Sequence, residues 1–201
     1  MIRSTPPKEI WGLDNFAHAL NKLLNSLNLK NPIVMGQSFG GGVATAYAKN
    51  YPNGIKILIL VDAITTKRKN NFYQKLKFFW WPLFSFLIKS RWIPLIFKKL
   101  IINIALGVPM EMINNPNAKD YAIMGQIPLH EGYYLTLDYK SLPMPLFLVW
   151  GNRDTWVTPI QRAKEIHNEV SSSKLLILRG PHTILYKNPK YAVSEIIKLL
   201  P

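Results

Sequence analysis

Four short apolar runs set the limits on what this chain can fold into. They are residues 32–35 (PIVM), 55–61 (IKILILV), 145–150 (PLFLVW) and 174–179 (KLLILR). Each is the length of a strand and mostly unbroken by polar residues. Strands covered on both faces read this way, as in a parallel sheet. Helical patterns lie between and around the runs. Residues 14–27 place Phe16, Leu20, Leu23, Leu24 and Leu27 on one stripe, with Asp14 as the expected N-cap. Residues 39–50 are small and apolar, and the YPNG of residues 51–54 stops them. Residues 159–170 open with Thr158-Pro159, a cap followed by proline at the first helical position, and residues 189–200 repeat that logic after Asn188. Strand and helix alternate, so the expected class is α/β with a doubly wound, mostly parallel sheet.

One segment breaks the alternation. Residues 65–142 form a long insertion with aromatic helical stretches and prolines at 82, 94, 109, 116 and 128. The expected organisation is therefore a core made of residues 1–64 and 143–201, with residues 65–142 as a helical cap. The 201 residues suffice for one domain with a sizeable core, and 48% hydrophobic content excludes a disordered tail. Between residues 63 and 110 there is no Asp or Glu, against nine Lys or Arg and ten aromatics, within a chain of net charge +14. This pattern fits solvated lysines over a buried aromatic face, or peripheral contact of residues 65–110 with an anionic membrane. Stacking on single-stranded nucleic acid is the third reading and is not expected. The longest uncharged stretch in this region, residues 78–88, contains Pro82 and is far short of the roughly 20 residues of a spanning helix. The first ten residues carry no apolar run and hence no visible secretory signal. The expected location is cytoplasmic, with the membrane periphery left open. There is no cysteine, which excludes disulfides, thiol chemistry and cysteine-ligated metals.

The first apolar run leads directly into chemistry. Gly36-Gln37-Ser38-Phe39-Gly40 is a G-x-S-x-G placed between an expected strand and an expected helix. There the chain must turn sharply, so that the Ser38 hydroxyl stands exposed above the sheet edge on a strained backbone. Gly36 and Gly40 are expected to stand where a Cβ would not fit. Gly41 and Gly42 would let the new helix pack closely on its neighbours. A glycine-rich strand-to-helix turn that binds a phosphate, or binds nothing, is the plainer reading of the motif. The dinucleotide fingerprint G-x-G-x-x-G and the Gly-Lys-Ser/Thr ending of a P-loop are both absent.

A serine hydroxyl becomes a nucleophile only when a base takes its proton, and the base needs an orienting partner. Of the four histidines, His18 and His167 fall in expected surface helices and His130 in the insertion. His182 follows the last strand, in the RGPHTILYKNP of residues 179–189, at a strand end where doubly wound sheets place their sites. Asp154 follows the third run in the GNRDTWVTP of residues 151–159, and is the expected orienting acid. Asp62, after the second run, is the reserve. The order Ser, Asp, His is the one this architecture uses.

These residues resemble the α/β-hydrolase superfamily, and within it the capped esterases and lipase-like hydrolases. The elbow IVMGQSFGGG, the acid loop LVWGNRDTWVTP and the histidine loop GPHTILYKNP agree in kind, order and spacing. The resemblance covers nearly the whole chain. It implies Ser38 as nucleophile, Asp154 as acid, His182 as base, the Phe39 backbone N–H as an oxyanion donor, and residues 65–142 as a lid. It implies neither metal nor organic cofactor, and it implies an ester as substrate. The Phe- and Trp-rich insertion makes that ester a lipophilic one of small to medium size, although such aromatics more often form a cap's own core. Gln37 stands where many relatives carry histidine, and Pro181 before His182 is less usual. Residues 3–16 (RSTPPKEIWGLDNF) are similar to the segment after the family's fourth strand, with Ser4 and Pro7 echoing a G-x-S-x-x-P loop. Against usual domain sizes, the resemblance leads to the expectation that roughly 60–80 residues of the family pattern are missing at the front. With them goes a source for the second oxyanion donor, and the edge of the strand at residues 33–35 is expected to stand open to association. Three functional readings follow. They are a serine ester hydrolase, an acyltransferase or C–C bond hydrolase on the same triad, and an inactive or split-enzyme basic module associated with a membrane.

Overall fold

A computed structural model describes residues 12–64, 92–94, 96, 97, 100, 139–154 and 158–201. His130, the segment at residues 3–11 and nearly all of the expected cap lie outside the described residues. The chain order is α1 (Leu13–Ser26), β1 (Ile33–Gln37), α2 (Phe39–Asn50), β2 (Ile57–Val61), β3 (Leu146–Gly151), α3 (Gln161–Glu169), β4 (Lys174–Leu178), α4 (Ile184–Lys187) and α5 (Pro189–Ile197). All four apolar runs become strands. They form one parallel sheet in the order β1-β2-β3-β4, with Val34 opposite Leu58, Leu58 opposite Leu146, and Leu148 opposite Leu175.

Side-chain alternation along β2 and β3 divides the core in two. Leu58, Leu60, Leu146, Leu148 and Trp150 pack with Leu13 and Ala17 of α1, Ala44 and Ala48 of α2, and Ala163 and Ile166 of α3. Ile57, Ile59, Val61, Phe147 and Val149 pack with Ile184 of α4 and with Ala192 and Ile196 of α5. Helices therefore cover both faces, as the unbroken apolar runs require. Each Leu, Ile, Val or Phe among them, once fully buried, contributes about 1.5–3 kcal/mol.

The reading of four doubly covered strands holds for the two central ones only. Every residue of β2 and β3 is buried, whereas β1 and β4 are edge strands with exposed residues. Ile33 and Met35 of β1 are 41% and 47% exposed, and among the described residues β1 pairs with β2 alone.

Two helix starts differ from the sequence reading. The N-cap of α1 is Gly12, whose N–H donates to Asn15 Oδ1 at 3.0 Å; Asp14 falls in the first turn and accepts from Asn50 Nδ2 at 2.9 Å. The helix expected from Pro159 starts at Gln161 behind Ile160, because the Thr158 side chain is engaged elsewhere. Asn188 does precede α5, with Pro189 as its first residue. Among the described residues no helix is long and apolar enough to cross a membrane.

Candidate active site

Parallel strands end on one rim, and each candidate residue follows a strand. Ser38 follows β1, Asp62 follows β2, Asp154 lies three residues past β3, and His182 lies four past β4. The sheet thus gathers residues far apart in sequence.

Ser38 joins β1 to α2 with φ 51° and ψ −117°, a conformation that non-glycine residues rarely adopt. The turn is held from both sides. Ser38 N–H donates to the Val61 carbonyl at 3.0 Å, and the Ser38 carbonyl accepts from Ile64 N–H at 2.9 Å and from Gly41 N–H at 3.0 Å. The two motif glycines turn out unequal. A Cβ on Gly36 would lie 2.2 Å from the Gly40 carbonyl oxygen, so only glycine fits there. A Cβ on Gly40 would meet nothing within 4 Å, which corrects the expectation that both positions are sterically closed. The second close approach belongs to Gly41, where a Cβ would lie 2.2 Å from the Ala63 Cβ. Phe39 is the first residue of α2, where backbone N–H groups have no acceptor within the helix.

Ser38 Oγ lies 2.8 Å from His182 Nε2, and His182 Nδ1 lies 2.6 Å from Asp154 Oδ2. A carboxylate can only accept, so Nδ1 carries the proton and Nε2 is free to accept from the serine hydroxyl. Asp154 is buried. Burial alone would raise its pKa, but the hydrogen bond and charge of His182, with the Thr158 hydroxyl and N–H, outweigh burial and hold it below the usual carboxylate range. The arrangement can move the hydroxyl proton onto the ring while a negative charge steadies the resulting imidazolium.

Three supporting residues had no such role in the sequence reading. Thr158 Oγ1 lies 2.5 Å from Asp154 Oδ2 and its N–H donates to Oδ1 at 3.1 Å, so the residue read as a helix cap instead fixes the acid. Trp150 Nε1–H donates to the Thr158 carbonyl at 2.8 Å from within the core. Gln37 Nε2 donates to the His182 carbonyl at 2.7 Å and ties the end of β1 to the histidine loop. The only sequence signal for them was proximity to the strand ends. His18 and His167 lie elsewhere, with Nδ1 at 2.6 Å from the Tyr51 hydroxyl and 2.8 Å from Ser173 Oγ respectively.

Asp62, Asp154 and His182 each present a donor atom within 4.8 Å of the others. Those are the atoms from which a cation site could be built. Both ring nitrogens of His182 already face Ser38 and Asp154, however, so a cation would have to displace those contacts.

Residues 2–189 match the family model of the alpha/beta hydrolase fold. An uncharacterized protein of Mycobacterium tuberculosis is 25% identical over 202 residues, which cover 89% of this chain and 58% of that protein. Lipase 3 of Moraxella sp. is 28% identical over 171 residues, covering 78% of this chain and 52% of the lipase. The chain thus spans little more than half the length of these curated relatives. The structure of a thermophilic esterase from Thermogutta terrifontis superposes with a TM-score of 0.67 at 16% identity, over 98% of this chain and 75% of the esterase.

Proposed function

The chain belongs to the alpha/beta hydrolase fold family, and on that premise we propose that it hydrolyses carboxylic esters through a Ser38 acyl-enzyme. The observation that carries this reading is the unbroken series from Ser38 Oγ through the His182 ring to Asp154 Oδ2, at 2.8 and 2.6 Å. In the proposed reaction His182 Nε2 takes the hydroxyl proton as Ser38 Oγ attacks the ester carbonyl. Phe39 N–H donates to the developing oxyanion; such a donor is worth about 10²–10³ in rate. The protonated ring then gives its proton to the departing alcohol. Water, deprotonated by His182, releases the acid and restores Ser38. Asp154 keeps the ring in the required tautomer throughout.

The proposed organisation assigns residues 1–64 and 143–201 to the hydrolase core and residues 65–142 to a cap. The aromatic content of that segment supports a lipophilic acyl or alcohol group in the substrate. The name of the Moraxella relative agrees with this class. The test is labelling by a fluorophosphonate together with turnover of p-nitrophenyl butyrate. The expected result is stoichiometric labelling of Ser38, abolished in Ser38→Ala. A folded parent chain that neither labels nor turns over the ester overturns the proposal. Product analysis with an added alcohol acceptor reads out acyl transfer instead of hydrolysis.

A further inference from the structure

His182 reaches Ser38 from the far side of the sheet. Among the described strands, β4 and β1 stand at opposite ends of the order, yet His182 lies four residues past β4 and Ser38 directly follows β1. Neighbouring strands are about 4.8 Å apart, so the loop after β4 spans roughly 14 Å across the ends of β3 and β2. It is held along the way. Over β3, Gly180 N–H donates to Asn152 Oδ1 at 3.1 Å and the Gly180 carbonyl accepts from Arg153 N–H at 2.9 Å. A Cβ on Gly151 would lie 2.6 Å from the Gly180 oxygen and 2.7 Å from the Pro181 oxygen, so the loop rests directly on the end of β3. At β1 the half-buried Gln37 takes over, its Nε2 donating to the His182 carbonyl at 2.7 Å.

His182 is thus held through three atoms: Nε2 at 2.8 Å from Ser38 Oγ, Nδ1 at 2.6 Å from Asp154 Oδ2, and the carbonyl oxygen on Gln37. The first of these does not last through an acyl-enzyme reaction. Once Oγ is esterified it has no proton to donate, and neutral Nε2 can only accept, so that hydrogen bond is gone. The ring is then held at Nδ1 alone and can tilt about that contact. The Gln37 amide is untouched by the chemistry and still fixes the main chain that carries the ring.

We propose that Gln37 is a positioning residue for the second half of the reaction, keeping the His182 ring in place while the acyl group sits on Ser38. In that step the water oxygen bonds to the acyl carbon as one water proton goes to Nε2. The bond from the acyl carbon to Oγ then breaks, and Nε2 gives the proton back to Oγ. Nε2 has to meet the water proton without help from Ser38. A shifted loop therefore slows this step more than the first attack, in which the serine hydroxyl itself draws the ring in. This rests on the acyl-enzyme reading above.

The experiment compares the parent chain with Gln37→Met, which is equal in length and has no donor. It follows stopped-flow and steady-state turnover of p-nitrophenyl butyrate, and the rate of fluorophosphonate labelling of Ser38. A displacement of about 1 Å costs about 10²-fold. The expected kcat of Gln37→Met is about 10- to 100-fold lower, with KM lower by a similar factor and kcat/KM and labelling rate within about threefold of the parent's. A nitrophenolate burst of about one equivalent per folded chain accompanies the slow turnover. A merely structural role lowers the urea midpoint and does not produce this split. Where Gln37→Met loses its far-ultraviolet circular dichroism, Gln37→Glu, of the same length and acceptor-only when ionised, takes its place. A labelled parent whose Gln37 variant keeps the parent's kcat, or loses kcat, kcat/KM and labelling rate in equal measure, overturns the Gln37 proposal alone. A folded parent that neither labels nor turns over the ester overturns the acyl-enzyme reading and this proposal with it.

Discussion

Replacing Gly36 and Gly40 separately by alanine gives the sharpest test of how the elbow is built. The sequence motif treats the two glycines alike, and the structure does not. At Gly36 the new Cβ would sit 2.2 Å from the Gly40 oxygen, 2.5 Å from its carbonyl carbon and 2.7 Å from Gly41 N, all backbone atoms. Ordinary contact starts near 3.4 Å, so the first turn of α2 must retreat from β1 by about 1 Å. That retreat pulls on the 3.0 Å bond from Ser38 N–H to Val61 and the 2.9 Å bond from Ile64 N–H to Ser38. Overpacking costs about 1–3 kcal/mol and a weakened hydrogen bond about 1 kcal/mol more. The expected loss in Gly36→Ala is therefore about 2–4 kcal/mol, read as a lower urea midpoint at unchanged slope. A serine displaced by about 1 Å also loses about 10² in rate. In Gly40→Ala the Cβ meets nothing within 4 Å, and alanine suits a helix better than glycine by up to about 1 kcal/mol. That variant is expected to be as stable as its parent or slightly more so. Parent-like stability and turnover in Gly36→Ala, or equal destabilisation by both changes, would refute the steric argument.

Three further outcomes follow from the site. Burial pushes the Asp62 pKa to about 8, against about 3.9 in an unfolded chain, so between those values the folded state keeps a proton the unfolded state has lost. Stability then falls as pH rises through that window, by up to about 1.4 kcal/mol per pH unit, and Asp62→Asn should flatten the fall; parallel denaturation curves from pH 5 to 8 would contradict this. Thr158→Val removes the hydroxyl that holds Asp154, worth about 1.5–3 kcal/mol for a charged acceptor, and should cut ester turnover about tenfold or more with KM little changed. Trp150→Phe leaves the Thr158 carbonyl without its donor in the core, and thermal unfolding should report a loss of about 1–3 kcal/mol.

The apolar runs marked the four strands, and for the two central ones their burial between two helical layers, which the exposed residues of β1 and β4 do not share. The glycine pattern around Ser38, and the positions of Asp154 and His182 after their strands, made the triad legible, because parallel strands deliver their ends to one rim. Tertiary contact alone decided the finer roles. It separated Gly36, pressed against α2, from Gly40, where an added Cβ would meet nothing within 4 Å, and moved the second tight approach to Gly41 beside Ala63. Thr158 was drawn from helix capping to the acid, and Gln37 tied β1 to the histidine loop. Asp62 was placed within reach of both acid and base. Periodicity records which side of a strand or helix is buried. The polar contacts instead join residues as far apart as Gln37 and His182, and only the folded sheet brings such partners within bonding distance.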